Sequence, residues 1–325
     1  MLKGLDQIDW ASLTHAYGSA SDVPNLLRNL LSPENEVRSE AMFALYGNIW
    51  HQHTVYEATS HAVPFLIEIA ASEGTPDRFE VVSYLGTLAE GTSYLDVHGD
   101  LLRQKPDDFE SRRKEELGYV ERTRAAVKKG EAVYLSALES EQQNLCCAAA
   151  YVLSRFTSDC KYWTLLSRRF DRAADDAPLR CGIANLLQKF SKDGTAASDW
   201  LRERLEQEQN IAVKIQLAGA VAFLEQKFTT NAEAILLEHL LSDEFVKPYF
   251  KLQPWDIGEP IFYIIEALCT SERGREALVA RFNELLATGA PTAVLEHCRY
   301  VMKMQLGERL VAPLDFDPLQ PLKLQ

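Results

Sequence analysis

Apolar residues recur along most of this chain three and four positions apart, so that each segment carries one continuous apolar face. The pattern is clearest in the middle. Leu145, Ala149 and Leu153 share one such face, Leu179, Ile183 and Leu187 a second, and Val213, Leu217 and Val221 a third. Corresponding members of successive sets are 34 residues apart. Nearer the N-terminus the period lengthens. Val23-Pro24 and Val63-Pro64 are 40 residues apart, and so are Leu45 and Leu85. A stripe that returns at such an interval is buried against neighbouring copies of itself, and periods of this length belong to two-helix repeats.

The pattern therefore predicts an all-α chain. Second helices of successive pairs open near 35, 77, 145, 179 and 213. First helices run over about 22–31, 54–70, 131–139, 161–173 and 197–208. Further helices follow over 231–241, 261–268, 276–286 and 292–304. Residues 6–17 read as a short capping helix, with Trp10, Leu13 and Tyr17 at helical spacing and Gly18 as its stop. Periodicity fails over 92–116, where Gly99, Pro106 and Asp107-Asp108 predict a loop inserted between repeats. A second insertion is expected over 243–259, around Pro248, Pro254, Trp255 and Gly258. The tail 306–325 holds Pro313, Pro318 and Pro321 and is expected to be extended. Residues 1–325 read as a single repeat domain, a right-handed α-solenoid of HEAT-like helix pairs with atypical elements at both ends.

The stretch 46–70 condenses the unit. One helix ends, the chain turns at Trp50-His51-Gln52-His53, and a second helix starts at Thr54 and continues through Pro64. Thr54 and Glu57 have the spacing of a capping box. His51, His53, Glu57 and His61 are the densest set of metal-ligand types, but a Thr54 cap places His53 outside the helix and occupies Glu57. Both histidines are expected to bond loop carbonyls, and no metal or other cofactor is expected.

Composition narrows the class. With 46% hydrophobic residues the chain can bury a substantial core. Its formal charge of −13, from 34 basic and 47 acidic residues, argues against nucleic acid and for a basic partner. Cys146, Cys147, Cys160, Cys181, Cys269 and Cys298 form no CxxC pair and sit in apolar helical patterns, as reduced core residues of a cytoplasmic protein do. The first residues lack the apolar run of a signal peptide, and no apolar stretch is long enough to cross a bilayer.

The run His51-Gln52-His53-Thr54-Val55-Tyr56, followed by Ala58-Thr59 and Ala62-Val63-Pro64-Phe65-Leu66, resembles a stretch that closes the first repeat in a set of bacterial HEAT-repeat proteins of the armadillo-type fold. Arg124-Ala125-Ala126-Val127 through Gly130, then Tyr134-Leu135, resembles the helix that resumes after their insertion. The likeness covers roughly residues 10–225. It implies the solenoid fold and an interaction or immunity role, and says little about chemistry.

No HExxH, GxSxG, phosphate-loop or dinucleotide motif is present. Glu238-His239 and Glu296-His297 run opposite to the His-Glu pairs of a di-iron enzyme on this scaffold. The expected function is a non-catalytic protein-binding scaffold, in its sharpest form an immunity-type protein holding a basic toxin. The alternative is an enzyme on nucleic acid, resembling HEAT-like DNA glycosylases, for which Trp50, Trp163, Trp200 and Trp255 are available. Expected partner contacts are Tyr84, Arg155 and Lys189 near the ends of second helices, Trp255 in its Pro-rich loop, and His51 and His53 at the corner.

Overall fold

The computed structural model describes residues 1–99, 107–173, 175–190, 195–225, 230–241, 260–311 and 322–324. They contain sixteen α-helices and three two-stranded antiparallel sheets. The chain divides into two compact units, Met1–Phe156 and Thr157–Gln325. Among the described residues no helix is long and apolar enough to cross a membrane.

The first unit does not open with a helix. After a 3-10 turn at Leu5–Gln7, strands β1 (Thr14–His15) and β2 (Gly18–Ser19) form a hairpin, with Gly18 at φ +115°. The expected helix over 6–17 is absent because its polar groups are taken locally. Trp10 Nε1 donates to Leu5 O (2.8 Å), and Ala20 N closes back on Leu13 O (2.9 Å).

Helix pairs follow: α1 (Val23–Asn29) with α2 (Asn35–Asn48), and α3 (Glu57–Ala71) with α4 (Arg78–Glu90). Pro24 sits in the first turn of α1, where its missing N–H costs nothing. Pro64 lies inside α3, which continues past it. Next come α5 (Tyr94–His98), α6 (Phe109–Lys128), α7 (Glu131–Leu138) and α8 (Gln143–Leu153). Of the expected loop over 92–116, residues 94–98 and 109–116 are helical, and 100–106 lie outside the described residues. The twenty-residue α6 packs on both α3 and α4, and α4 packs on α8.

In the second unit α9 (Cys160–Arg172) pairs with α10 (Ala177–Leu187), and α11 (Thr195–Gln207) with α12 (Ile211–Glu225). Helices α13 (Thr230–Glu238), α14 (Pro260–Leu268), α15 (Glu272–Ala287) and α16 (Thr292–Leu306) complete it. The second helices α10 and α12 stack directly, and α12 packs on α14. All nine stripe residues from Leu145 to Val221 are buried, as their spacing requires. Of the tail expected to be extended, residues 306–311 and 322–324 are described, and there a 3-10 turn at Gly307–Arg309 leads into extended strands. β5 (Leu310–Val311) pairs with β6 (Lys323–Leu324), and buried Leu322 exchanges two hydrogen bonds with the Asn283 side chain. The 243–259 insertion lies outside the described residues.

One ion-pair device recurs. Arg38, early in α2, donates to Asp77, the residue before α4 (2.7 Å). Arg180, early in α10, pairs with Glu208, three residues before α12 (2.6 Å), and stacks on the Phe170 ring (4.4 Å). In these two second helices the basic residue that follows the first apolar position ties the helix to the start of the next one.

Candidate functional site

The corner between α2 and α3 is a β-hairpin, and the site is built around it. β3 (Trp50–His51) pairs with β4 (Thr54–Val55) across a two-residue loop, Gln52-His53. Both loop residues are left-handed, at φ 47° and 69°. A two-residue hairpin needs that conformation to match the twist of its strands, and Asn-Gly would adopt it with least strain. Here Gln and His hold it instead, at a cost of about 1 kcal/mol each.

The Thr54 hydroxyl does not cap a helix. It donates to His51 O (2.6 Å) and closes the hairpin, while the Tyr56 hydroxyl donates to it (2.7 Å). The N-cap of helix α3 is Tyr56, two residues later than the capping-box spacing suggested. Thr59 Oγ1 accepts from Tyr56 N (2.9 Å) and donates to Ile49 O (2.5 Å). Glu57 reaches away from its own helix, and its carboxylate accepts from both the amide and the hydroxyl of Thr14 (3.2 Å each). The corner is therefore a tie between the two N-terminal hairpins. Tyr17, in the first hairpin's loop, meets the His51 ring edge-on at 5.5 Å. Beneath it His15 is fixed: Nδ1 accepts from Tyr17 N (3.0 Å), which leaves Nε2–H to donate to Asp22 (3.0 Å).

A third segment joins this edge. Val55 N donates to Thr92 O (3.0 Å), and Thr92 N to His53 O (2.8 Å). The approach needs glycine at 91, since a Cβ there would overlap Val55 Cγ1. Ser93 then caps α5 by accepting from Asp96 N (3.0 Å), and Glu116 of α6 accepts from Leu95 N (2.8 Å).

Between hairpin, α5 and α6 lies a pocket of about 200 Å³. Tyr56, Tyr94 and Tyr119 line it with Thr14, Val55, Arg112, Glu115 and Glu116. Tyr119 donates to Glu115 (2.8 Å). Burial first, then that bond, pushes its hydroxyl up to about 12. Burial also raises Tyr56. Both phenols therefore remain donors at neutral pH. Among the described residues Glu57, Glu115, Glu116 and Arg112 form no ion pair.

The residues singled out from sequence do not form one site. His51 and the exposed His53 stand on the hairpin, His53 against the Trp50 ring at 5.4 Å. Tyr84 is fully buried, which corrects its placement on a binding surface. Its hydroxyl donates to Leu45 O (2.6 Å), its ring packs on Tyr46 (4.4 Å), and it joins α4 to α2. Arg155 is also turned inward, its side chain only 6% exposed. It pairs with Glu90 and stacks on the Tyr151 ring at 4.3 Å. Lys189, half-buried just past α10 in the second unit, has a partner of its own. Trp255 lies outside the described residues. Among the described residues no three His, Cys, Asp or Glu side chains are grouped to hold a metal. Cys146, Cys147, Cys181 and Cys298 are buried, Cys269 is half-buried, and Cys160 is exposed rather than in the core.

Sequence reasoning missed Tyr94, Glu115 and Glu116 because they fell in the expected loop over 92–116, and Tyr119, just beyond that loop, was not singled out. Two signals were available there. Ser93 followed three residues later by Asp96 has the form of a helix cap, and Glu110/Lys114 and Arg112/Glu116 are opposite charges at i, i+4. Comparison of the chain with protein-family models, curated proteins and solved structures finds no match.

Proposed function

We propose that the chain is a non-catalytic scaffold that holds a basic protein, and that its helix pairs form a HEAT-like solenoid. The observation that carries this reading is the tyrosine-lined pocket, whose carboxylates lack cationic partners among the described residues, on a protein of net charge −13. Long-range attraction from that charge would speed encounter with a basic partner, and the pocket would give the contact a fixed point. The sharpest form of the reading is an immunity-type protein that neutralises a basic, nuclease-like toxin in a bacterial cytoplasm.

Affinity capture from the native cell, run beside DNA and RNA binding at physiological salt, tests it. A captured protein of high isoelectric point that rebinds the purified chain is the expected result. Tight, salt-sensitive nucleic-acid binding with no protein captured would overturn it. For the solenoid, solution scattering should give a radius of gyration clearly above the value of about 20 Å for a compact globule of this length.

A further inference from the structure

We infer that the pocket between Tyr56, Tyr94 and Tyr119 receives the cationic head of a lysine or arginine side chain from the partner, an inference that rests on the scaffold reading. Size is the first argument. At about 200 Å³ the space is smaller than the roughly 300–1,000 Å³ of sites for drug-sized ligands and cofactors, and suits one side chain.

Charge is the second. Glu115 and Glu116 line the pocket, and the Glu57 carboxylate is bonded to Thr14, itself a lining residue. An anionic group would meet the Glu115 and Glu116 carboxylates. A neutral alkyl group would strip them of water and return nothing. A cation satisfies them through charge-assisted hydrogen bonds and gains from the aromatic walls. The one lining cation, Arg112, is exposed and pairs with none of these carboxylates among the described residues. Preorganisation is the third. Tyr56 is held by Thr54, Tyr119 by Glu115, and Glu116 by the α5 backbone, so little order has to be created on binding. The molecule already makes this kind of contact nearby, where the Arg122 guanidinium lies 5.2 Å from the centre of the Tyr119 ring.

Fluorine NMR of the full chain labelled with 3-fluorotyrosine tests the assignment. The probes are acetyl-Gly-Lys-Gly-amide, its arginine counterpart and its norleucine counterpart. The lysine and arginine peptides should shift the Tyr56, Tyr94 and Tyr119 resonances saturably and leave buried Tyr263 unmoved. Norleucine should shift none. Glu115→Gln, which keeps an acceptor for Tyr119, should weaken the cationic peptides about tenfold. Arg112→Ala should tighten them. Equal shifts from norleucine, or cationic shifts unaffected by Glu115→Gln, would overturn the inference. A captured basic protein that binds Glu115→Gln as tightly as the parent would overturn it while leaving the scaffold reading intact. Cationic peptides that titrate the pocket when no basic protein binds the chain would instead sink the scaffold reading and leave the pocket's preference standing.

Discussion

The two units are made from the same element, a pair of amphipathic helices, and differ in what joins the pairs. In the second unit α9 and α10, α11 and α12, and α14 and α15 are separated by only three or four residues, and four of its helix starts are capped by side chains. Asp159 accepts from Lys161 N, Asp176 from Leu179 N, Asn210 from Ala212 N and Val213 N, and Ser271 from Gly274 N. Its α10 and α9 have 11 and 13 residues. In the first unit α2 and α3 have 14 and 15 residues, and hairpins stand before α1 and before α3. Those hairpins, with α5 and α6, bring Tyr17, His51, His53, Tyr56, Tyr94 and Tyr119 to one edge. Tyr17 and Tyr94 are 69% and 43% exposed there, where burial alone would not keep them. On the proposed reading, stability and recognition are divided between these regions. Regular repeats need only their stripes and caps, and the departures from regularity carry the site.

The largest effect expected is loss of the fold at alkaline pH. Burial raises the hydroxyls of Tyr84, Tyr134 and Tyr151 in the first unit and of Tyr263 in the second. A raised folded-state pKa means that the stabilisation is complete below the unfolded value near 10 and is lost as pH climbs above it. Tyrosinate absorbance should therefore rise in step with the loss of helical circular dichroism. A gradual titration of these tyrosines with helicity intact would show that they are not clamped.

Arg180→Ala comes next. It leaves Glu208, whose side chain is 4% exposed, buried without its counter-charge, and should cost about 3 kcal/mol in urea denaturation. The equivalent Arg38→Ala should cost less, because Asp77 is 34% exposed and can be hydrated. Equal losses would mean that the two devices are not graded by burial.

Thr59→Val keeps the shape but removes both hydrogen bonds that join the hairpin to α3. It should cost about 2 kcal/mol, and amide exchange should accelerate at Tyr56 before it does in α10 or α12. His53→Gly is the smallest change and has the opposite sign. It relieves a left-handed residue and should stabilise the chain by about 1 kcal/mol, less the entropy that glycine adds to the unfolded state. Should that variant lose stability instead, the imidazole contact with Trp50 outweighs the strain.

The regular part of this division was legible in the sequence. Helix α4 runs from Arg78 to Glu90 where 77–90 was expected, and α7 ends at Leu138 where 139 was. A stripe three and four residues apart announces its own buried face. The hairpins were not legible because two-residue strands are too short to show alternation, and the usual Asn-Gly turn signal is absent at Gln52-His53. Thr54 and Glu57 matched a helix cap in spacing yet serve the hairpin and Thr14, since spacing cannot reveal a partner 43 residues away. Tyr84 and Arg155 were misplaced for the same reason. Tyr84 lies midway along α4 and Arg155 just past α8, and the exposure of each depends on what packs against it, α2 at Leu45 for Tyr84 and Glu90 for Arg155.

Hydrogen–deuterium exchange of the full chain, with and without saturating acetyl-Gly-Lys-Gly-amide, measures the division most directly. Protection confined to residues 14–19, 50–57, 92–96 and 109–119, with none over 157–325, is the predicted result. Protection centred in the second unit, or none at the hairpin edge at peptide concentrations that saturate the chain, would contradict it.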